Sequence, residues 1–432
     1  FSMKIFRRLG MVLLLATQTR RFVVQGLTTG QILLSQWKKH HGLSGVIRHM
    51  SIHHEDAATN IDPQAQLSSF TTLQKEFQLP QISNDRLPLT NQQRLVCFGD
   101  VHGDIHALKR FLKISQVYDG HQWVGGDTIL VQCGDVLDRG SEELECFALL
   151  TTLSRQAQSE GGQVILLWGN HEALNAAGLF QYTTGDSEYE KIVGSSLDTS
   201  LRTNRWRLQF ANNQPARWAT YEPGGLLAES LLANMKVAVQ VGKTVCVHAG
   251  LTQQHLLQWG GLEGMNRMAR EWIISNCHGP NNNLGEYYTV QQVLEHSQSR
   301  ARKASATLPP CLGGGNESTG EASPVWMRDY SVPPNRPGRP QAQRLLETCL
   351  AELQADRMVM GHTVQSRINA AFHGKAWRVD IGASQGVAGG TPEVLEVVAQ
   401  ANGEEDVSIL TTRGRIPEAE RHVENTAYSF VL

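Results

Sequence analysis

The sequence is short of cysteine and of net charge. It has seven cysteines in 432 residues and no CxxC pair, which argues against a zinc ribbon or a disulfide framework. Its net charge of -2 leaves no positive excess for general nucleic-acid binding. The apolar segment 9–16 is too short to cross a bilayer as a helix, so we expect no integral membrane span. A hydrophobic fraction of 41% is enough for a globular core.

The first 54 residues lack acidic side chains. They contain eight Lys or Arg and no Asp or Glu, a bias that resembles an organellar transit peptide. We expect this segment to target the chain to the chloroplast rather than to the mitochondrion. The apolar segment behind Arg7 and Arg8 leaves a secretory or bipartite signal as an alternative, and a disordered extension is the third. Residues 55–90 are polar and rich in Gln, which predicts a linker.

The pattern of apolar runs predicts one domain over residues 91–415, followed by a C-terminal tail over 416–432. An irregular insertion over 279–340 interrupts it. Helices are predicted at 105–118, 142–158 and 341–356. Nine strands are predicted, at 94–98, 128–133, 163–168, 235–241, 244–247, 357–360, 376–381, 394–398 and 407–410. Early strands alternate with helices and later ones form hairpins, which predicts an α/β fold of two mixed β-sheets packed as a sandwich and flanked by helices.

Five of these strands end in a Gly-containing polar turn. Ligands bind at the carboxyl ends of strands in α/β sheets, and Gly lets the backbone approach them closely. Taken singly, each turn has a structural explanation, because Asp next to Gly is typical of turns and a lone His is usually hydrogen-bonded. The turns read Gly99-Asp100-Val101-His102-Gly103-Asp104, Gly134-Asp135-Val136-Leu137-Asp138-Arg139-Gly140, Gly169-Asn170-His171-Glu172, His248-Ala249-Gly250 and Gly361-His362-Thr363.

Together the turns supply a divided set of metal ligands. Asp135 stands in the middle of the order and would bridge two ions. Asp100 and His102 would complete one ion, and the other would be completed by Asn170, His248 and His362. Two ions about 3.5–4 Å apart can share a hydroxide and clamp an in-line phosphoryl displacement. Mixed nitrogen and oxygen ligation suits Mn, Fe or Zn.

The five motifs resemble those of the calcineurin-like metallophosphoesterases from about residue 94 to 400. The GDxxDRG and GNHE motifs are similar to the phosphoprotein phosphatase branch, and within it the chain most resembles the Shewanella-like protein phosphatases. Ala249 and the Gly361-His362-Thr363 turn carry this last resemblance, together with Val325-Trp326-Met327-Arg328-Asp329-Tyr330 and Trp377-Arg378-Val379-Asp380-Ile381-Gly382.

The resemblance implies roles for the remaining residues. His171, held by Asp138, would be the general acid that protonates the leaving oxygen. Arg139 and Arg328 would grip the phosphate oxygens, although a surface ion pair with Asp329 is an alternative for Arg328. The resemblance implies a phosphoprotein phosphatase that attacks phosphomonoesters directly with a metal-bridging hydroxide and forms no covalent intermediate.

Two other functions stay open at this point. Diadenosine tetraphosphate hydrolases share the same turns, although the few Lys and Arg of segment 279–340 weigh mildly against a polyphosphate substrate. A non-catalytic metal-holding adaptor would be supported by the loss of any ligand, yet all six ligands and the acid pair are present.

Overall fold

Two six-stranded sheets organise the described residues of the computed structural model, which are 74–184, 189, 214–275, 307–314, 322–331, 333 and 337–423. The predicted targeting segment 1–54 lies outside the described residues. The strands are β1 (Arg86–Leu87), β2 (Arg94–Phe98), β3 (Ile129–Gln132), β4 (Gln163–Leu166), β5 (Ala238–Val241), β6 (Thr244–Val247), β7 (Arg357–Met360), β8 (Asn369–Ala371), β9 (Ala376–Arg378), β10 (Val394–Ala399), β11 (Glu405–Thr411) and β12 (Gly414–Pro417).

Each sheet places a parallel group of strands beside antiparallel ones. The first sheet has the order β12-β11-β10-β2-β3-β4, with β2, β3 and β4 parallel and β10 antiparallel to β2. The second has the order β1-β5-β6-β7-β9-β8, with β6, β7 and β9 parallel. The sheets meet in the core, where Cys97 on β2 and Cys246 on β6 bring their Sγ atoms to 3.7 Å. The predicted fold of two mixed sheets with flanking helices is confirmed.

Seven α-helices whose full bounds lie within the described residues flank the sheets. They are α1 (Ile105–Ile114), α2 (Glu143–Ser159), α3 (Asn170–Ala176), α4 (Pro215–Tyr221), α5 (Gln253–Trp259), α6 (Gly261–Ile274) and α7 (Arg339–Leu353). α1 shows why the chain turns helical directly after β2. Asp104 caps it by accepting the N–H of Ala107 at 2.8 Å, and Leu108 and Phe111 are buried on one face.

Three predicted boundaries differ from the structure. The predicted linker 55–90 is folded from residue 74 onward, since Phe77 and Leu79 are buried and β1 pairs with β5. The domain also continues beyond 415, because β12 and a 3-10 turn at Glu418–Arg421 occupy the start of the predicted tail. In the insertion 279–340, the described segments 307–314 and 322–331 bury apolar side chains in the main core. Within the described residues, no helix combines the length and apolarity needed to cross a membrane.

Candidate metal centre and active site

The five polar turns meet at one edge of the sandwich. β2, β3 and β4 are parallel neighbours, and so are β6 and β7, so the carboxyl ends of each group lie together. The site residues follow these ends: Asp100 and His102 after β2, Asp135, Asp138 and Arg139 after β3, Asn170 and His171 after β4, His248 after β6, and His362 after β7.

Asp135 lies between the two groups of side chains. Its Oδ2 atom is 3.3 Å from His248 Nε2 on the side of the second sheet. The same oxygen is 3.9 Å from the Nε2 atoms of both His102 and His171. Its Oδ1 atom accepts the backbone N–H of His171 at 2.9 Å. One carboxylate therefore reaches both halves of the predicted ligand set.

The remaining predicted ligands surround Asp135 and are buried. His248 Nε2 lies 3.0 Å from Asn170 Oδ1, and the rings of His248 and His362 are 5.0 Å apart between centroids. Asp100 Oδ2 is 3.9 Å from His102 Nε2, and Asp100 Oδ1 accepts the backbone N–H of His362 at 3.2 Å. Two clusters result, each with its ligand atoms within 4.8 Å of one another: His102, Asp135 and His171, and Asp135, His248 and His362.

The donor atoms of the histidines fit a metal centre. His102 Nδ1 is 2.9 Å from the carbonyl oxygen of Leu137, and His248 Nδ1 is 2.7 Å from that of Cys133. A carbonyl only accepts, so Nδ1 carries the proton and Nε2 presents its lone pair, as in most metal-binding histidines. Among the described atoms, His362 Nε2 is buried and makes no hydrogen bond. A metal ion would satisfy this nitrogen.

The charge of the site points the same way. Burial lowers the pKa of His102 to about 4 and that of His362 to about 3, which keeps both rings neutral, the form that binds metal. Burial, with Asp380 and Asp135 nearby, raises the pKa of Asp100 well above its usual range. Burial also acts to raise the pKa of Asp135, but His248 and His171 outweigh it and hold that pKa well below its usual value. Cations would relieve the crowding of these carboxylates.

His171 and Asp138 form a tight pair. His171 Nδ1 lies 2.5 Å from Asp138 Oδ2, so the imidazole Nε2 is left for another partner. Burial opposes protonation of this imidazole, yet Asp135 and Asp138 outweigh it and raise the pKa of His171 above its ordinary value. A protonated His171 can donate from Nε2. This geometry suits a general acid, although the distances to Asp135 also place His171 in one of the two clusters described above.

Arg139 and Arg328 lie on the exposed side of the buried ligands. Arg139 stands 5.3 Å from the ring centroid of Tyr182, whose ring is in turn 5.0 Å from that of His171. Arg328 donates from Nη1 to Thr363 Oγ1 at 2.8 Å, next to His362. The structure thus places both predicted phosphate-binding residues at the site. Tyr182 also lies at the site, although it belongs to none of the five motifs and no sequence pattern singles it out.

The backbone of the site is held in an unusual conformation. Five non-glycine site residues have positive φ, a region that side chains with a Cβ adopt rarely and at a cost of about 1–3 kcal/mol each. Such outliers concentrate at functional sites, where the surrounding fold enforces them. They are His102 (φ 47), Asp135 (φ 57), Asp138 (φ 71), Arg139 (φ 67) and His362 (φ 65).

Three further buried carboxylates support the ligands. Asp380 is hydrogen-bonded to Asp100 and accepts the N–H of Gly382 at 2.8 Å. Glu172 accepts four backbone N–H groups in the second and third turns. Glu143 accepts the N–H of Asp138 at 2.5 Å. Glu172 belongs to one of the five motifs. Asp380 and Glu143 lie in or near conspicuous sequence segments, but nothing in the sequence predicts that they support the candidate ligands.

The sequence is similar to that of known phosphoesterases. The model of the calcineurin-like phosphoesterase family matches residues 93–304. Shewanella-like protein phosphatase 2 of Arabidopsis thaliana is 33% identical over 360 residues, which cover 78% of this chain and 80% of that protein. Shewanella-like protein phosphatase 1 of Plasmodium berghei is 40% identical over 186 residues, 43% of this chain and 46% of that protein.

A solved structure shares the fold. The cold-active protein-tyrosine phosphatase of a psychrophilic Shewanella species superposes with a TM-score of 0.52 at 20% identity, over 77% of this chain and 84% of that one.

Proposed function

The chain belongs to the calcineurin-like phosphoesterases and is related to the Shewanella-like protein phosphatases, and from this we propose that it is a metal-dependent phosphoprotein phosphatase. The observation that carries the proposal is the position of Asp135, whose Oδ2 atom lies within 3.9 Å of ligand nitrogens from both sheets. The non-catalytic adaptor is disfavoured, since all six ligands and the acid pair lie together in one site.

Two metal ions would be held by the two halves of the ligand set. Asp100, His102 and Asp135 would hold one of them. The other would be held by Asp135, Asn170, His248 and His362, and Mn, Fe or Zn suits this mixture of nitrogen and oxygen donors. When bound, the pair of ions makes hydroxide available near neutral pH and neutralises charge on the phosphate.

His171 and Asp138 perform the proton transfer. The Nε2–H of protonated His171 donates to the leaving oxygen as the bond from phosphorus to that oxygen breaks. Asp138 accepts the Nδ1–H of His171 at 2.5 Å and so keeps that proton in place throughout. A serine or threonine leaving group is a poor one, so it depends on this proton.

Arg139 and Arg328 bind the phosphate. They reach the site from opposite halves of the chain, one beside Asp138 and one beside His362. Guanidinium groups match phosphate oxygens in fork geometry and stabilise the charge that develops in the transition state. This arrangement fits a dianionic phosphomonoester.

Hydrolysis of p-nitrophenyl phosphate tests the proposal. We expect turnover with Mn²⁺, no turnover with EDTA, and collapse of activity in Asp135→Asn. Asp127→Asn, which changes an exposed Asp before β3, is the matched control and should behave as the wild type. A folded protein that binds metal by elemental analysis yet hydrolyses neither this ester nor phosphopeptides would refute the proposal. Faster hydrolysis of diadenosine tetraphosphate than of phosphopeptides would favour the other enzyme class.

The N-terminal segment supports a proposal about location. Eight basic and no acidic residues over 1–54 favour an organellar address, in the chloroplast rather than the mitochondrion. Residues 1–54 fused to a fluorescent protein should carry it into plastids of a plant cell. Entry into the secretory pathway would support the alternative signal instead.

A further inference from the structure

Arg217 is a fully buried arginine directly behind the acid pair. It lies on the short helix α4, and its exposed fraction is 0%. The proposed phosphate hydrolysis gives it no role, since it cannot reach solvent or substrate. Burying a guanidinium is costly unless charged partners surround it. Its partners therefore indicate what it does.

The Arg217 guanidinium binds two carboxylates at once. Nη1 and Nη2 donate to Glu143 Oε2 and Oε1, both at 2.6 Å, in a fork. Nη2 also donates to Asp138 Oδ1 at 3.0 Å. Nε donates to Asn175 Oδ1 at 2.5 Å, and the Asn175 amide donates to the same Asp138 oxygen at 3.0 Å. Arg217 thus ties Asp138, Glu143 and Asn175 into one network.

In this network the two oxygens of the Asp138 carboxylate have different partners. Oδ1 is fixed by Arg217 and Asn175, while Oδ2 faces His171 Nδ1 at 2.5 Å. The backbone N–H of Asp138 is held by Glu143, which Arg217 binds. With one oxygen and its own backbone anchored, the carboxylate cannot rotate away from the imidazole.

The surroundings of Arg217 allow little other freedom. Its guanidinium carbon lies 4.8 Å from the ring centroid of Tyr189 and 5.9 Å from that of Tyr221. Tyr189 also donates to Glu143 Oε2 at 2.5 Å. A lysine would place one point charge where the fork now makes several bonds, so Lys is not equivalent here.

We propose that Arg217 is a positioning residue for the general acid: by fixing Asp138 Oδ1 it holds His171 in the orientation that protonates the leaving oxygen. This inference rests on the proposed function. The proposal predicts different effects of an Arg217 substitution on substrates with different leaving groups. p-Nitrophenolate leaves without a proton, whereas a serine alkoxide does not, so loss of positioning affects the second substrate selectively.

The test compares the Arg217→Lys variant with the wild type, both proteins loaded with Mn²⁺. The substrates are a phosphoserine peptide and p-nitrophenyl phosphate. We expect kcat for the peptide to fall about 10²-fold, in the range of general-acid contributions, with KM and metal content unchanged. kcat for p-nitrophenyl phosphate should stay within a few-fold. Arg357→Lys, which alters the ion pair between Arg357 on β7 and Glu405 on β11, is the matched control and should change neither.

Asn175→Ala keeps the inference falsifiable should Arg217→Lys not fold. It removes the other donor to Asp138 Oδ1 and should show the same selectivity with a smaller loss. Equal losses on both substrates, or none, in whichever variant folds would overturn the inference by indicating a merely structural role. His171→Asn separates this from the proposed function: if it too affects both substrates equally, the general-acid assignment fails and the inference fails with it.

Discussion

A carboxylate oxygen of Glu172 accepts the backbone N–H of Asp135 at 2.8 Å. The same side chain accepts the N–H groups of Val136, Leu137 and Gly169 at 2.8–3.0 Å. A single buried carboxylate thereby holds the turn that carries Asp135 against the turn that carries His171. Backbone in the left-handed region at Asp135 needs this support, because the turn is strained.

Glu172→Gln should therefore destabilise the protein. An amide has one acceptor oxygen, so some of the four N–H groups lose their partner and face the NH₂ group instead. We expect the free energy of unfolding to fall by about 2–3 kcal/mol. Urea denaturation measures it, with Glu229→Gln at an exposed position as the control. Equal stability of the two variants would show that Glu172 is not needed to hold the turns.

Metal ions should stabilise the folded chain as well as support catalysis. Asp100, Asp135 and Asp380 are buried carboxylates in one site, and cations would offset their repulsion. At 100 times the dissociation constant, Mn²⁺ should add about 2.7 kcal/mol and raise Tm by about 3–5 °C. Thermal unfolding in Mn²⁺ and in EDTA measures this. Asp135→Asn should abolish the rise and Asp127→Asn should keep it, whereas an unchanged Tm in the wild type would argue against a structural contribution.

His255 should make the protein sensitive to mild acid. Burial lowers its pKa to about 4, and its ring stacks on Trp259 at 4.9 Å. Below about pH 6.5 the unfolded chain binds a proton there that the folded chain does not, so stability falls from pH 6.5 toward pH 4, by about 3 kcal/mol in total.

His255→Asn removes this proton uptake and can still accept the N–H of Thr252, as the His255 ring does now. As the pH falls from 7 to 4, the free energy of unfolding of the variant should rise by about 3 kcal/mol relative to that of the wild type. His121→Asn, at an exposed position, is the control. A constant difference across this pH range would contradict the prediction.

Arg328→Ala should weaken phosphate binding. Its guanidinium donates to Thr363 beside the candidate metal ligand His362, and a charge-assisted hydrogen bond to phosphate contributes about 1.5–3 kcal/mol. We expect kcat/KM to fall about 10–100-fold and the inhibition constant of inorganic phosphate to rise in parallel. Arg413→Ala, in the exposed β11–β12 turn, should change neither. Unchanged inhibition by phosphate in Arg328→Ala would contradict a role for Arg328 in phosphate binding.

The candidate metal ligands could be predicted from the sequence because their signal is local. Each ligand stands within two residues of a glycine in its motif, at the end of an apolar strand such as 94–98 or 357–360, and parallel strands bring these ends together without further information. Strand bounds at 94–98, 244–247 and 357–360 match the structure for the same reason, since short apolar runs ended by Gly or polar residues leave little freedom.

What the sequence could not indicate depends on distant contacts. Arg217 meets Asp138 across 79 residues and sits in a seven-residue helix with no clear period. β1 is two residues long and exists only because β5 pairs with it. α6 escapes prediction because Gly261 and Gly264 lower its helix propensity, yet Leu262, Met265 and Ala269 are buried on one face.

The pairing of β10 with β2 has a consequence for synthesis. β2 is the strand that leads into Asp100, and β10, at 394–399, covers the edge that β3 leaves exposed. Until the ribosome has produced residues 99–393, which separate β2 from β10, that edge of β2 has no partner and is open to wrong pairing. His362 also emerges late. The first sheet and the candidate ligand set around Asp135 are thus completed near the end of translation. A nascent chain therefore passes through most of its synthesis with the acidic turns already made and the site incomplete.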